Sequence, residues 1–186
     1  MNIPNRLTVF RIILTPFFLF FMLKENLNYN LLIACIIFIV ASLTDWLDGR
    51  LARKYNQITT FGKFLDPIAD KLLIVAAYLG FSQLGFSVWI PMIVVARELV
   101  VSSVRMIAGS SGTILAANIW GKVKTASQMI AVIISLFLIE SNDVGIISSV
   151  VNVSLIVNIV LWITAILTLI SGVQYVWQYR KHINMV

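Results

Sequence analysis

Residues 30–50 read NLLIACIIFIVASLTDWLDGR, an apolar run that ends in two aspartates. A helix needs about 20 mostly apolar residues to cross the hydrocarbon core of a bilayer, and this run meets that length. Five more segments have the same character, and the six lie at about 7–23, 30–50, 64–82, 88–108, 119–139 and 149–176. The sequence therefore predicts an all-α fold: a polytopic membrane protein with six transmembrane helices, folded as one domain over residues 1–186.

The composition of the chain supports a membrane setting rather than an aqueous one. Hydrophobic residues make up 60% of the 186 residues and charged residues 12%, which is about half the charged fraction of a soluble domain. The net charge of +6 could indicate nucleic-acid binding, but the Lys and Arg residues flank the apolar runs, as membrane orientation requires. We therefore expect membrane lipids, and no nucleic acid, among the partners.

The basic residues are distributed unevenly between the two ends of the predicted helices. If the N-terminus is cytoplasmic, then so are the loops at 50–63 and 109–118 and the C-terminus, and these regions with the adjoining helix ends hold most of the Lys and Arg residues. The opposite end has Lys24 and a few acids. Because cytoplasmic loops of membrane proteins carry the excess of positive charge, both termini are predicted to face the cytoplasm.

Four aspartates lie where the second predicted helix ends and the third begins. Asp45 and Asp48 are three residues apart, and Asp66 and Asp70 are four apart. At these spacings the two members of each pair share one face of a helix. The connecting loop is short, so the two helices are predicted to be antiparallel neighbours whose aspartates converge at the cytoplasmic end of the bundle.

Four carboxylates in one partly dry pocket repel each other, and cations must offset that charge if all four are ionised. Oxygen ligands without nearby His or Cys favour hard ions, so we expect Mg²⁺ or Mn²⁺. Two such ions about 3.5–4 Å apart could bind both phosphates of a diphosphate. The alternative interpretation is that the aspartates only form ion pairs with nearby basic side chains. Those candidates are Arg50, Arg53, Lys54, Lys63 and Lys71.

From Asp45 to Asp70 the chain follows the pattern D-x₂-D-G-x₂-A-R-x₈-G-x₃-D-x₃-D at every defined position. With this signature the chain resembles the CDP-alcohol phosphatidyltransferase family. Residues 2–11, 96–99 and 121–128 are similar to those of members whose acceptor is glycerol-3-phosphate. The resemblance implies six transmembrane helices, a site that faces the cytoplasm, a homodimer and a bacterial cell membrane.

The resemblance also implies a reaction and a role for each matching residue. The phosphatidyl group would move from CDP-diacylglycerol to glycerol-3-phosphate, giving phosphatidylglycerophosphate and CMP. Two divalent cations would be held by the four aspartates, and Asp70 would also act as the general base on the acceptor hydroxyl. The CDP portion would be bound by Gly49, Ala52, Arg53 and Gly62.

An anionic acceptor needs cations that the aspartates do not already neutralise. Arg97 lies inside the fourth apolar segment, where an unpaired guanidinium is costly and usually functional. Together with Lys63, Arg105 and Lys124 it forms our predicted acceptor-phosphate site. The alternatives are a structural pair between Arg97 and Glu98, and lipid head-group contacts for the lysines that open the fifth helix.

Two other functions stay open at this point. The same chemistry could use another acceptor, namely phosphatidylglycerol, serine or an inositol phosphate, because such enzymes share the aspartates. A divalent-cation transporter, from a different class, could also carry acidic pairs among its helices. A transporter needs polar groups along a path to both faces, whereas the outer halves of these segments are almost wholly apolar.

Overall fold

The computed structural model of the protein describes residues 3–24, 27–54, 60–110, 119–148 and 150–183, without the side chains of 3–4, 46–54, 60–61, 63–64, 107–110 and 180–183. Within these ranges all regular structure is helical, which confirms the predicted all-α class. The six helices are α1 (Ile3–Met22), α2 (Asn30–Lys54), α3 (Thr60–Gln83), α4 (Trp89–Ser110), α5 (Ile119–Asp143) and α6 (Val153–Ile183).

The connection between α2 and α3 is shorter than the loop predicted at 50–63, because both helices extend into that range. Residues 50–54 continue α2, and Gly62 lies in the first turn of α3. Arg, Leu, Ala and Lys are all good helix formers, so the change from apolar to basic residues does not end the helix. The signature residues therefore extend along two helices rather than across a long loop.

Helix α1 packs against both α2 and α3, which touch each other at only a few positions. The predicted direct packing of α2 against α3 is therefore limited, because α1 lies against both of them. On the other side of the bundle, α6 packs against α4 and α5, and α5 in turn contacts α2. Every helix thus has partners to which it can present one apolar face.

The middle of the bundle is closed by large side chains from several helices. Phe18, Phe38, Tyr78, Leu136 and Leu161 have no exposed surface. The rings of Phe18 and Phe38 lie 5.5 Å apart, a spacing at which aromatic pairs attract each other. This apolar core joins α1, α2, α3, α5 and α6 below the polar end of the molecule.

Buried polar groups link the helices and define their directions. The Glu140 carboxylate accepts hydrogen bonds from the backbone N–H groups of Leu31 at 2.9 Å and Leu32 at 3.2 Å. Those N–H groups open α2 and have no partner within their own helix, so the last part of α5 caps the first turn of α2. Helices α2 and α5 therefore run in opposite directions, and the end of α2 lies at the same end of the bundle as the start of α5.

Two further hydrogen bonds attach α6 to its neighbours. The Tyr78 hydroxyl of α3 lies 2.7 Å from the Thr164 hydroxyl, and the Gln128 amide of α5 donates to the Thr168 hydroxyl at 3.0 Å. All four residues are buried. Hydrogen bonds of this kind hold helices together where apolar surface alone gives little preference for one neighbour over another.

The outside of the bundle is strongly apolar. Large hydrophobic side chains are exposed on every helix, among them Phe17, Ile36, Leu79, Met92, Phe137 and Ile163. Within the part of the chain that the structure describes, three helical segments are long and apolar enough to cross a membrane: Asn5–Met22, Ile119–Asp143 and Val153–Tyr179. The apolar part of α2, Asn30–Asp45, is shorter. These features indicate a membrane protein. Three of the six predicted spans have the length and hydropathy expected of a helix that crosses a membrane.

Candidate active site

A cavity of about 670 Å³ opens at the end of the bundle where α2 ends and α3 begins. Three of the predicted aspartates line it: Asp45, Asp66 and Asp70. Basic side chains from α3, α4 and α5 line it as well, namely Lys71, Arg97, Arg105, Lys122 and Lys124. The cavity therefore has an acidic wall and a basic wall, and its charges suit a ligand that carries phosphates or cations.

The acidic wall is organised by a buried cation from α1. The Arg11 side chain is 1% exposed, and its Nη1 lies 2.7 Å from Oδ1 of Asp45. The same nitrogen donates a hydrogen bond to Oδ1 of Asp70. One guanidinium nitrogen therefore joins a carboxylate of α2 to a carboxylate of α3, across the helix that lies against both.

Helix α1 also binds the third described aspartate. The Thr8 hydroxyl donates to Oδ1 of Asp66 at 2.8 Å, and Thr8 itself is buried. Asp66 and Asp70 lie one helical turn apart, so Thr8 and Arg11, which are also one turn apart, meet them in the same order. The carboxylates stay accessible from the cavity, since the side chains of Asp45 and Asp70 are 36% and 48% exposed.

The donor chemistry of this wall fits a hard divalent cation. All three described ligand candidates are carboxylates. Oδ1 of Asp45 and Oδ1 of Asp70 both lie within hydrogen-bonding distance of Nη1 of Arg11, so the two oxygens converge on one position. Nevertheless, the described side chains include no group of three or more His, Cys, Asp or Glu residues already gathered as metal ligands. The fourth aspartate, Asp48, belongs to α2, and its side chain lies outside the described residues.

Two of the aspartates do form ion pairs, but with a cation that the alternative interpretation did not include. Asp45 and Asp70 pair with Arg11. Among the five basic residues considered, only Lys71 has a described side chain, and it donates to the Ser102 hydroxyl of α4.

The basic wall also contains an acidic residue, Glu98, that pairs with two of its cations. Glu98 on α4 accepts hydrogen bonds through Oε1 from Lys124 of α5 and, at 3.2 Å, from Nη1 of Arg97. All three side chains are largely buried, with exposed fractions of 14%, 6% and 11% respectively. The predicted pair between Arg97 and Glu98 is therefore present, and Lys124 joins it. The trio has a net positive charge.

Arg97 is fitted closely against α6. Its Nη2 donates to the Ser171 hydroxyl at 2.9 Å, and a Cβ placed on Gly172 would come within 2.7 Å of the Arg97 Cγ. Only a glycine leaves room for the arginine stem at that position. Arg97 also lines a second cavity of about 530 Å³, which is apolar and lies between α4 and α6, so it stands where the polar cavity meets apolar surface.

The remaining predicted site residues are described only in part. Arg105 is exposed and lines the cavity, and it lies further along α4 than Arg97. Gly62 is buried. Of Gly49, Ala52, Arg53 and Lys63, the structure describes the helical backbone but not the side chains, so their predicted contacts lie outside the described residues.

Sequence reasoning missed the contribution of α1 to the site. Its buried polar residues Asn5, Thr8, Arg11 and Thr15 follow one another at intervals of three, three and four. That is the spacing of one helix face, and on the same face Phe18 and Met22 continue into the apolar core. A polar half-stripe in an otherwise apolar helix was the signal that could have identified these residues.

Residues 1–170 match the model of a protein family described as CDP-alcohol phosphatidyltransferase. Similar proteins carry the name CDP-diacylglycerol–glycerol-3-phosphate 3-phosphatidyltransferase. The one from Bacillus subtilis is 36% identical over 98% of this chain and 99% of its own length. The one from Haemophilus influenzae is 40% identical over 94% of this chain and 91% of its own, and the one from Escherichia coli is 43% identical over 70% and 74%.

These matches extend over most of the chain and include both walls of the cavity. The aspartate signature, the cavity that its residues line and the similarity to the three bacterial enzymes agree with one another. The chain belongs to the CDP-alcohol phosphatidyltransferase family.

Proposed function

We propose that the protein transfers the phosphatidyl group of CDP-diacylglycerol to glycerol-3-phosphate, releasing phosphatidylglycerophosphate and CMP. The observation that carries the proposal is the pairing of an acidic and a basic wall in one cavity, lined by Asp45, Asp66 and Asp70 on one side and by Arg97 and Lys124 on the other. The acidic wall suits a metal-bound diphosphate, and the basic wall suits an anionic acceptor. The names of the bacterial relatives describe the same reaction.

The donor would bind against the signature residues of α2 and α3. Asp45, Asp48, Asp66 and Asp70 would hold two divalent cations, Mg²⁺ or Mn²⁺, which when bound offset the charge of the diphosphate and of the CMP that leaves. The CDP portion would lie against Gly49, Ala52, Arg53 and Gly62. The small residues leave space beside the helix backbone, and an arginine offers phosphate a fork of donors.

Asp70 is the proposed general base. It would accept the proton of the acceptor hydroxyl while that oxygen forms its bond to the β-phosphorus and the bond from this phosphorus to the CMP oxygen breaks. Arg11 donates a hydrogen bond to Oδ1 of Asp70, which orients this carboxylate. No covalent intermediate is required.

The phosphate of the acceptor would bind to Arg97, Arg105, Lys124 and Lys63. Glu98 uses one oxygen to orient both Arg97 and Lys124, and one carboxylate cannot neutralise two cations. The exposed Arg105 adds a further positive charge to the same cavity. The start of α5, which holds Lys124, also favours anions because its first N–H groups have no helical partner.

In this proposal the chain crosses a bacterial cell membrane six times, with both termini and the cavity at the cytoplasmic side. The distribution of basic residues supports that orientation, and so does the position of the cavity at one end of the bundle, where a soluble acceptor can enter. A homodimer is part of the same proposal, on the basis of the family alone.

An acceptor panel tests the proposed reaction. The purified protein in detergent, supplied with CDP-diacylglycerol and Mg²⁺ or Mn²⁺, is expected to release CMP with glycerol-3-phosphate and not with serine, an inositol phosphate or phosphatidylglycerol. Release with one of the other acceptors instead would contradict the assignment of the acceptor. Absence of release with all four would contradict the reaction, and an unfolding transition measured on the same sample confirms that the protein is folded.

Replacing the proposed base removes its charge with little change in shape. We expect Asp70→Asn to lower kcat for CMP release by about 10²–10⁴-fold, the usual contribution of a general base. The matched control is Asp143→Asn, which changes an exposed acid at the opposite end of the bundle. If the Asp70→Asn variant kept more than about a tenth of wild-type kcat, Asp70 would not be the general base.

Arg105 gives the cleanest test of the acceptor site, because it is exposed and takes part in none of the ion pairs found among the described side chains. We expect Arg105→Ala to raise KM for glycerol-3-phosphate about tenfold, which corresponds to one charge-assisted hydrogen bond, and to leave KM for CDP-diacylglycerol nearly unchanged. Lys24→Ala, at the far end of α1, is the control. Equal rises in both KM values would place Arg105 outside the acceptor site.

A further inference from the structure

Helix α1 contains none of the signature aspartates, yet it contacts all three that are described. Arg11 bonds to Asp45 and Asp70, and Thr8 bonds to Asp66. Thr15, one turn further on, donates its hydroxyl to the Arg11 carbonyl at 3.0 Å. The polar half of α1 therefore packs against the acidic wall and forms hydrogen bonds with it.

Arg11 is the central group of this arrangement. Its side chain is 1% exposed, so the guanidinium has very little water to solvate its charge. A buried cation is tolerated only where anions and hydrogen-bond acceptors surround it, and here carboxylates from two different helices do so. The arginine thus adds a permanent positive charge next to the oxygens that the proposed function assigns to divalent cations.

We propose that Arg11 is a positioning residue that acts as the resident counter-cation of the acidic wall. It holds Asp45 and Asp70 together when no divalent ion is bound, and it lowers the affinity of the wall for divalent ions because they must bind beside its charge. The inference rests on the proposed function, since it concerns the same carboxylates. A residue of α1, outside the signature, thus limits the affinity of the site for metal.

Electrostatics give the direction of the effect. A divalent ion bound by the same carboxylates would lie close to Arg11 in a partly dry environment, where like charges repel strongly. Arg11→Met keeps the length of the side chain and removes the charge, so it should strengthen metal binding. Arg11→Lys keeps a charge at nearly the same place and should change metal binding little.

The test measures Mn²⁺ binding to the full chain in detergent without substrates, from the EPR signal of free Mn²⁺. We expect Arg11→Met to bind Mn²⁺ at least about tenfold more tightly than the wild type, and Arg11→Lys to stay within about threefold. An affinity of Arg11→Met that is equal to or weaker than that of the wild type would overturn the proposal, because a merely structural arginine would give that result.

Thermal unfolding supplies a second readout that does not depend on activity. Without divalent ions, Arg11→Met should unfold at a lower temperature than the wild type, because Asp45 and Asp70 then repel each other, and saturating Mn²⁺ should restore most of the loss. Phe18→Ala, on the same face of α1 but in the apolar core, is the control whose loss Mn²⁺ should not restore. If Arg11→Met stays as destabilised, or as unfolded, with Mn²⁺ as without it, the proposal is wrong.

The two proposals fail in different ways. If wild-type protein does not bind Mn²⁺ and neither does Arg11→Met, the metal part of the proposed function is wrong, and this inference fails with it. If wild-type protein binds Mn²⁺ and releases CMP while Arg11→Met has unchanged affinity, the proposed function stands and only the role of Arg11 is overturned.

Discussion

The charge of the aspartates is the constraint on which the rest of this structure depends. Carboxylates that converge at one end of an apolar bundle repel each other, and that repulsion must be offset for the helices to pack. Arg11 does so from α1, which packs against both α2 and α3 and brings one nitrogen to Asp45 and Asp70. The packing of α1 and the geometry of the acidic wall are therefore one feature.

The opposite wall of the cavity follows the same rule with the signs exchanged. Glu98 lies between Arg97 and Lys124 and limits the repulsion between them, while Ser171 and the missing side chain of Gly172 let α6 fit around the arginine. Each wall is held by one residue of opposite charge and keeps an excess of its own sign. The proposed reaction of a metal-bound diphosphate with an anionic acceptor needs both kinds of wall.

Much of this was predictable from the sequence, because it depends on local spacing. Apolar runs of about 20 residues indicate the helices, and the intervals between Asp45 and Asp48 and between Asp66 and Asp70 give shared faces. The pairing of Arg97 with Glu98 was open as an alternative because a guanidinium inside an apolar segment is costly unless it has a partner. The role of Arg11 was not predictable in this way, because it depends on α1 packing against both α2 and α3, and spacing along one chain does not specify which helices become neighbours. Helix α2 ends later than predicted because a change from apolar to polar residues does not end a helix of good helix formers.

The central claim is that the aspartates of α2 and α3 form a two-cation site beside Arg11. Anomalous diffraction from crystals of the full chain grown with Mn²⁺ tests it most directly. The account predicts two peaks about 3.5–4 Å apart, bound by Asp45, Asp48, Asp66 and Asp70, with Arg11 still against the carboxylates. The absence of any peak in the cavity at saturating Mn²⁺, or peaks bound only by other residues, would contradict it.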